Sequence, residues 1–134
     1  MPQDVIRTKT GIQGLDKALN GGIPEGNIVL ISGGAGTGKS TFCLQFCVNG
    51  ASLLGEKSLY ISTEQNREEL YKQANGFGWP IKELEERKLL KIVYFDVTEG
   101  DSFLEKMNTF ITDFAPKRIV IDSNIFTPII IQIL

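Results

Sequence analysis

An α/β fold with a mainly parallel sheet is predicted for this 134-residue chain by three observations. Short apolar, β-branched runs alternate with stretches of helical spacing, the order that covers both faces of a sheet with helices. The octet from Gly33 to Ser40 (GGAGTGKS) lies between one such run and one such helix and fits the pattern G-x-x-x-x-G-K-[ST]. No internal repeat or low-complexity linker interrupts the order, and 134 residues with 42 % hydrophobic content suit one domain with one core.

The elements are read in chain order. Residues 14–19 are expected to form a short first helix, and 20–26 (NGGIPEG) are dense in turn formers. Residues 27–32 (NIVLIS) suit a buried strand, and 40–49 (STFCLQFCVN) have the spacing of an apolar helix. A second strand is expected at 57–62 (KSLYIS), followed by a helix at 66–75 (NREELYKQAN) that 76–80 (GFGWP) breaks. Residues 81–88 form another short helix, 89–95 (LLKIVYF) a third strand, 101–114 a helix and 118–122 (RIVID) a fourth strand. In such a sheet ligands bind at the carboxyl ends of the strands.

The octet implies a nucleoside triphosphate. Gly33, Gly34, Gly36 and Gly38 let the backbone wrap around an anion, so that N–H groups and the positive end of the following helix face the phosphates. Lys39 is a point charge able to reach the β- and γ-phosphates and so to assist catalysis, and the Ser40 hydroxyl is placed to coordinate a bridging Mg2+. With Ala35, Thr37 and Thr41 these residues make up the expected nucleotide contacts, Thr41 chiefly supporting the helix start. The bland alternative is a glycine-rich turn that happens to end in Lys-Ser, which the strand before it and the helix after it disfavour.

Two carboxylates fall at strand ends near this loop. Asp122 follows three apolar residues, the place of a Walker B aspartate in the magnesium shell, and Asp96, which also ends an apolar strand, competes for that role. Glu64, just past the second strand in YISTEQ, can polarise the water that attacks the γ-phosphate as a general base. Its alternatives are a solvated loop glutamate or a cap for the helix starting near Asn66.

Composition excludes several classes. The chain has no histidine, so Ser-His-Asp and Cys-His catalysis are ruled out, and Cys43 and Cys47 read as small core residues rather than metal ligands. A net charge of −2 without any basic run offers no footprint for nucleic acid. No signal peptide or membrane span is visible, so the expected location is the cytoplasm.

The segment TGIQGLDKALNGGIPEG (10–26), the loop GGAGTGKST, and the phrases GEKSLYISTEQNREEL and FGWPIKELEERKLLKIVYFD together resemble the KaiC-like branch of the RecA superfamily, which also includes RadA recombinases. The resemblance runs from about Thr8 to Ser123. It implies a RecA-like, three-layer P-loop NTPase fold and an ATPase with ATP and Mg2+ as ligands, acting in a ring of like subunits, commonly a hexamer. It also implies Walker A roles for Gly33, Gly38, Lys39 and Ser40, the Walker B role for Asp122 and the catalytic-glutamate role for Glu64. Family members often carry a second glutamate where this chain has Gln65, which cannot accept a proton as a carboxylate would.

The tail departs from that pattern. The chain stops twelve residues after Asp122, and from Asn124 onward NIFTPIIIQIL reads as a divergent apolar tail (124–134) on a single, partial domain lacking the family's C-terminal strands. A missing strand between the loop strand and the Walker B strand would leave rows of backbone groups unpaired. Residues 129–134, or a strand from a second copy, are expected to fill that gap. Hydrolysis is expected to be weak or absent in this length of chain. That leaves open an ATPase, a nucleotide-binding regulatory module that does not hydrolyse, or, ranked last, a RadA-like recombination ATPase.

Overall fold

The computed structural model describes residues 5–34, 36–96, 102–122 and 129–134. Among these residues twelve elements follow one another: β1 (Arg7–Thr8), α1 (Leu15–Ala18), β2 (Ile23–Pro24), β3 (Ile28–Ile31), α2 (Lys39–Leu54), β4 (Ser58–Ser62), α3 (Arg67–Gly76), α4 (Ile81–Glu86), β5 (Leu90–Tyr94), α5 (Ser102–Phe114), β6 (Arg118–Asp122) and β7 (Ile129–Ile133). The predicted strands and helices are all present, although Asp101, the expected first residue of the last helix, lies outside the described residues.

Five strands form one sheet in the order β3-β7-β6-β4-β5. β6, β4 and β5 are parallel neighbours, whereas β7 runs antiparallel to both β3 and β6. β3 therefore points the same way as β6, and β7 alone runs backwards. It fills the gap anticipated between the loop strand and the Asp122 strand, from within the same chain. Ile131 is the hinge of the register, opposite Val29 on one side and Val120 on the other. β1 and β2 pair separately as a two-residue antiparallel ribbon within a stretch read from the sequence as turns.

Alternation along the strands divides the core in two. Tyr60, Leu90, Ile92, Val120, Ile129, Ile131 and Ile133 face α2, α3 and α4, while Leu59, Ile61, Val93 and Ile119 face α5. The sheet is thus the middle of three layers. Asn66 caps α3, its side chain accepting from Glu69 N–H at 2.9 Å, which assigns that capping position to Asn66 rather than Glu64.

α2 extends five residues beyond the predicted stop at residue 49, through Gly50 to Leu54, and ends at Gly55 in the left-handed region. A buried cation explains the interior glycine. Arg118 is 0 % exposed; its guanidinium donates to Phe46 O at 2.9 Å, to Glu56 Oε1 at 2.7 Å and to Lys9 O, and lies 4.3 Å from the centre of the Phe46 ring. A Cβ on Gly50 would sit 2.5 Å from Arg118 Cδ. Arg118 thereby ties the N-terminal segment, α2 and the α2–β4 turn to the start of β6.

The N-terminal segment has a second anchor in Asp16, whose carboxylate accepts from Thr10 N–H (2.7 Å), Thr10 Oγ1–H (2.8 Å) and Gly11 N–H (3.1 Å). Burial alone would raise this carboxyl, but those hydrogen bonds, with the field of Arg118, outweigh it and hold the pKa below the ordinary value of 3.8.

Two outcomes follow from these contacts. Gly50→Ala is expected to lower unfolding free energy by about 1–3 kcal/mol in urea titrations, because Arg118 has no room to move. That sign is opposite to the gain of roughly 1 kcal/mol that alanine brings to an ordinary helix interior. The depressed Asp16 pKa contributes stability that is present above the ordinary aspartate value and lost as pH falls through the lower folded one. Asp16→Asn is therefore expected to lower the melting temperature at neutral pH, with the difference from wild type shrinking as acid protonates Asp16.

Candidate functional site

β3 ends at Ile31 and α2 begins at Lys39, so residues 32–34 and 36–38 flank the turn between them at the carboxyl edge of the sheet. Ala35, one of the expected nucleotide contacts, lies outside the described residues. The turn needs glycine at specific places. Gly38, at the start of α2, has φ 88°, a left-handed conformation that favours glycine, and a Cβ on Gly33 would lie 2.7 Å from Thr37 Oγ1.

Gly38 stands at the N-cap of α2, and among the described residues no side chain caps that helix start. The first N–H groups of a sixteen-residue helix are thus left to the turn and to whatever it holds. Thr37 Oγ1 donates to Gly34 O at 2.8 Å, and Lys39 Nζ folds back over the loop to donate to Gly33 O at 2.8 Å. Gly33, Gly34, Gly36, Thr37 and Gly38 are exposed, so the cradle is open to an anion.

Ser40 and Asp122, 82 positions apart in sequence, meet directly: Ser40 Oγ–H donates to Asp122 Oδ2 at 2.8 Å. The same oxygen accepts from the Tyr60 hydroxyl at 2.8 Å. Asp122 is 4 % exposed and Tyr60 fully buried. Burial pushes the Tyr60 phenol well above its usual range, and the neighbouring Asp122 charge pushes it further. Two hard oxygen donors beside an uncapped helix start are the ligand type that Mg2+ takes, so these residues fit that ion.

The competing strand-end acid is placed elsewhere. Asp96 lies just past β5, the strand at the far edge from β3, whereas Asp122 is the last residue of β6, which only β7 separates from β3. Ser62 pairs with Asp122 in the ladder, and Thr63 N–H donates to Asp122 O at 3.0 Å, which brings the end of β4 alongside. Glu64 comes next in the turn before α3. It is exposed and makes no hydrogen bond or ion pair with the described residues. Thr41 turns from the loop toward α3, its Oγ1 accepting from Gln73 Nε2.

Sequence reasoning missed Tyr60. A signal was present, since Ser58, Tyr60 and Ser62 are polar at every second position of an otherwise apolar strand, which puts three hydroxyls on the α2 face. Cys43 and Cys47, on α2 beneath this region, are buried free thiols as expected. Burial, and secondarily the Asp122 charge, raises the Cys43 pKa to about 12, and burial raises Cys47 as well.

A glycine turn in this place on this sheet is that of a P-loop protein of RecA-like fold. The chain belongs to the KaiC ATPase family, whose model, described as "ATPase: KaiC", matches residues 8–127. A UPF0273 protein of Pyrococcus furiosus is 38 % identical over 89 % of this chain and 55 % of its own length, and one of Methanocaldococcus jannaschii is 39 % identical over 87 % and 55 %. The circadian clock protein KaiC2 of Synechocystis is 35 % identical over 89 % of this chain and 23 % of its own. Among solved structures, a KaiC-like protein of Pyrococcus horikoshii OT3 superposes with a TM-score of 0.82 at 39 % identity, covering 88 % of this chain and 53 % of that one. The chain spans about half the length of the UPF0273 relatives it matches. Among the described residues no helix is long and apolar enough to cross a membrane.

The thiols give a direct check on this packing. Neither Cys43 nor Cys47 is expected to react with a disulfide reagent at pH 8 in the native protein, and both are expected to react at once in denaturant.

Proposed function

We propose that this chain binds ATP with Mg2+ at the glycine turn between β3 and α2, and that within the full-length fold the site hydrolyses it. The observation that carries the reading is the open cradle at an uncapped helix start, closed on one side by the 2.8 Å Ser40–Asp122 contact. In this reading Gly33, Gly34, Ala35, Gly36, Thr37 and Gly38 offer main-chain amides to the phosphates, with Thr41 supporting the first turn of α2. Lys39 exchanges its bond to Gly33 O for the β- and γ-phosphates and stabilises the charge that grows there. Ser40 and Asp122 hold the Mg2+ shell. When bound, that ion neutralises phosphate charge and polarises the phosphoryl oxygens.

Glu64 is assigned the general base. Its exposed carboxylate, two residues beyond Ser62, is free to accept a proton from an attacking water. The same exposure favours a second reading, a nucleotide-binding module in which no described residue orients Glu64 and hydrolysis is weak. Like copies assembling into a ring, in the cytoplasm where ATP and Mg2+ are abundant, complete the proposal. DNA recombination is not favoured, because a net charge of −2 with no run of Lys or Arg offers no electrostatic footprint for a phosphate backbone.

Binding of a fluorescent ATP analogue in Mg2+ is expected to weaken roughly 10- to 100-fold in Lys39→Ala, the size of a lost charge-assisted hydrogen bond. Glu64→Gln is expected to keep binding while any ATP turnover falls about 100-fold or more. Unchanged binding in Lys39→Ala would refute the site. Unchanged turnover in Glu64→Gln would remove the base from it.

A further inference from the structure

Asp122 is gripped by two donors on a single oxygen. Oδ2 accepts from Ser40 and from Tyr60, and no described donor reaches Oδ1. The two donors differ in kind. Ser40 stands at the start of α2, beside the exposed phosphate turn, and its oxygen is one of those assigned to the metal. Tyr60 sits in the middle of β4, opposite Val120 in the parallel ladder, with its ring at 0 % exposure under α2. From there the phenol runs along the sheet to the end of the neighbouring strand, two residues farther on.

We propose that Tyr60 is a positioning residue for Asp122: its hydroxyl fixes Oδ2 independently of Ser40, so that Oδ1 stays presented to the metal shell once the Ser40 oxygen is committed there. This rests on the ATP and Mg2+ reading above. The physical need is specific. The terminal torsion of an aspartate is broad, so a carboxylate held by Ser40 alone would lose its orientation as the serine oxygen turns to the ion. A hydrogen bond from a fully packed ring supplies a donor that does not move with the loop. Partners behind a metal ligand commonly set its orientation in this way, and losing one costs about 10- to 100-fold in metal affinity.

Tyr60→Phe tests this while keeping the ring and its packing. Mn2+ titrated in the presence of ADP and followed by electron paramagnetic resonance is expected to bind roughly tenfold more weakly than to wild type. Binding of the fluorescent analogue in EDTA is expected to be unchanged, which a general loosening of the core would not allow. On an Asp122→Asn background, Tyr60→Phe is expected to add no further loss of Mn2+ affinity, because the carboxylate it serves is gone. Wild-type Mn2+ affinity in Tyr60→Phe, or equal losses with and without Asp122, would overturn the inference and leave the ATP reading intact. A wild-type protein that binds no nucleotide with or without metal would overturn both. Should Tyr60→Phe not fold, the Tyr60 hydroxyl proton of the wild type decides. A slowly exchanging resonance that survives loading with Mg2+ and ADP supports the inference, and its disappearance on loading contradicts it.

Discussion

The pairing of β7 between β3 and β6 is the constraint on which this structure depends. Each of those strands has a backbone edge that would otherwise be unpaired in the sheet interior, and β7 satisfies both, with Ile131 opposite Val29 and Val120. It also sets a distance. With one strand between them, β3 and β6 are held about two strand spacings apart, roughly 9–10 Å. The phosphate turn leaves the end of β3 and Asp122 closes the end of β6, so that spacing separates the two halves of the site. α2 lies over the gap, and Ser40, on its first turn, spans the gap to Asp122. A direct β3–β6 pairing would halve the distance and bring the turn against Asp122.

β7 reaches this place while running opposite to the other four strands of the sheet, two of which, β3 and β6, are its neighbours. Antiparallel strands can be joined by a short connection, whereas a parallel strand needs a crossover of a dozen or more residues. Only six residues separate Asp122 from Ile129, so the antiparallel direction is the one the chain permits. Ile129, Ile131 and Ile133 then face α2 and join the larger core, and β-branched side chains suit that buried, pleated position. The other face of β3 stays open, with Ile28 and Leu30 exposed on the side that α5 does not cover.

What could be read from the sequence was local. The phosphate turn, the strands at 57–62, 89–95 and 118–122 and the helices between them announce themselves by spacing within ten residues or so. Asp122 was identifiable because it ends an apolar run and matches the family's Walker B position, but spacing alone does not separate it from Asp96, since strand order is a matter of long-range pairing. The helix expected at 40–49 runs on through Gly50, and what calls for glycine there is Arg118, 68 residues away and in another element. The β1–β2 ribbon is two residues long and carries no period to detect. Tyr60 was visible as a polar position on an apolar strand, but its partner lies 62 residues on.

The claim that β7 is the internal spacer of the sheet is tested most directly by nuclear magnetic resonance on the 134-residue protein. Cross-strand contacts from residues 129–133 to both 28–31 and 118–121, in the antiparallel register that sets Ile131 between Val29 and Val120, together with slowly exchanging amides throughout 129–133, are what the account predicts. Random-coil shifts and fast exchange across 129–133 in an otherwise folded monomer would contradict it.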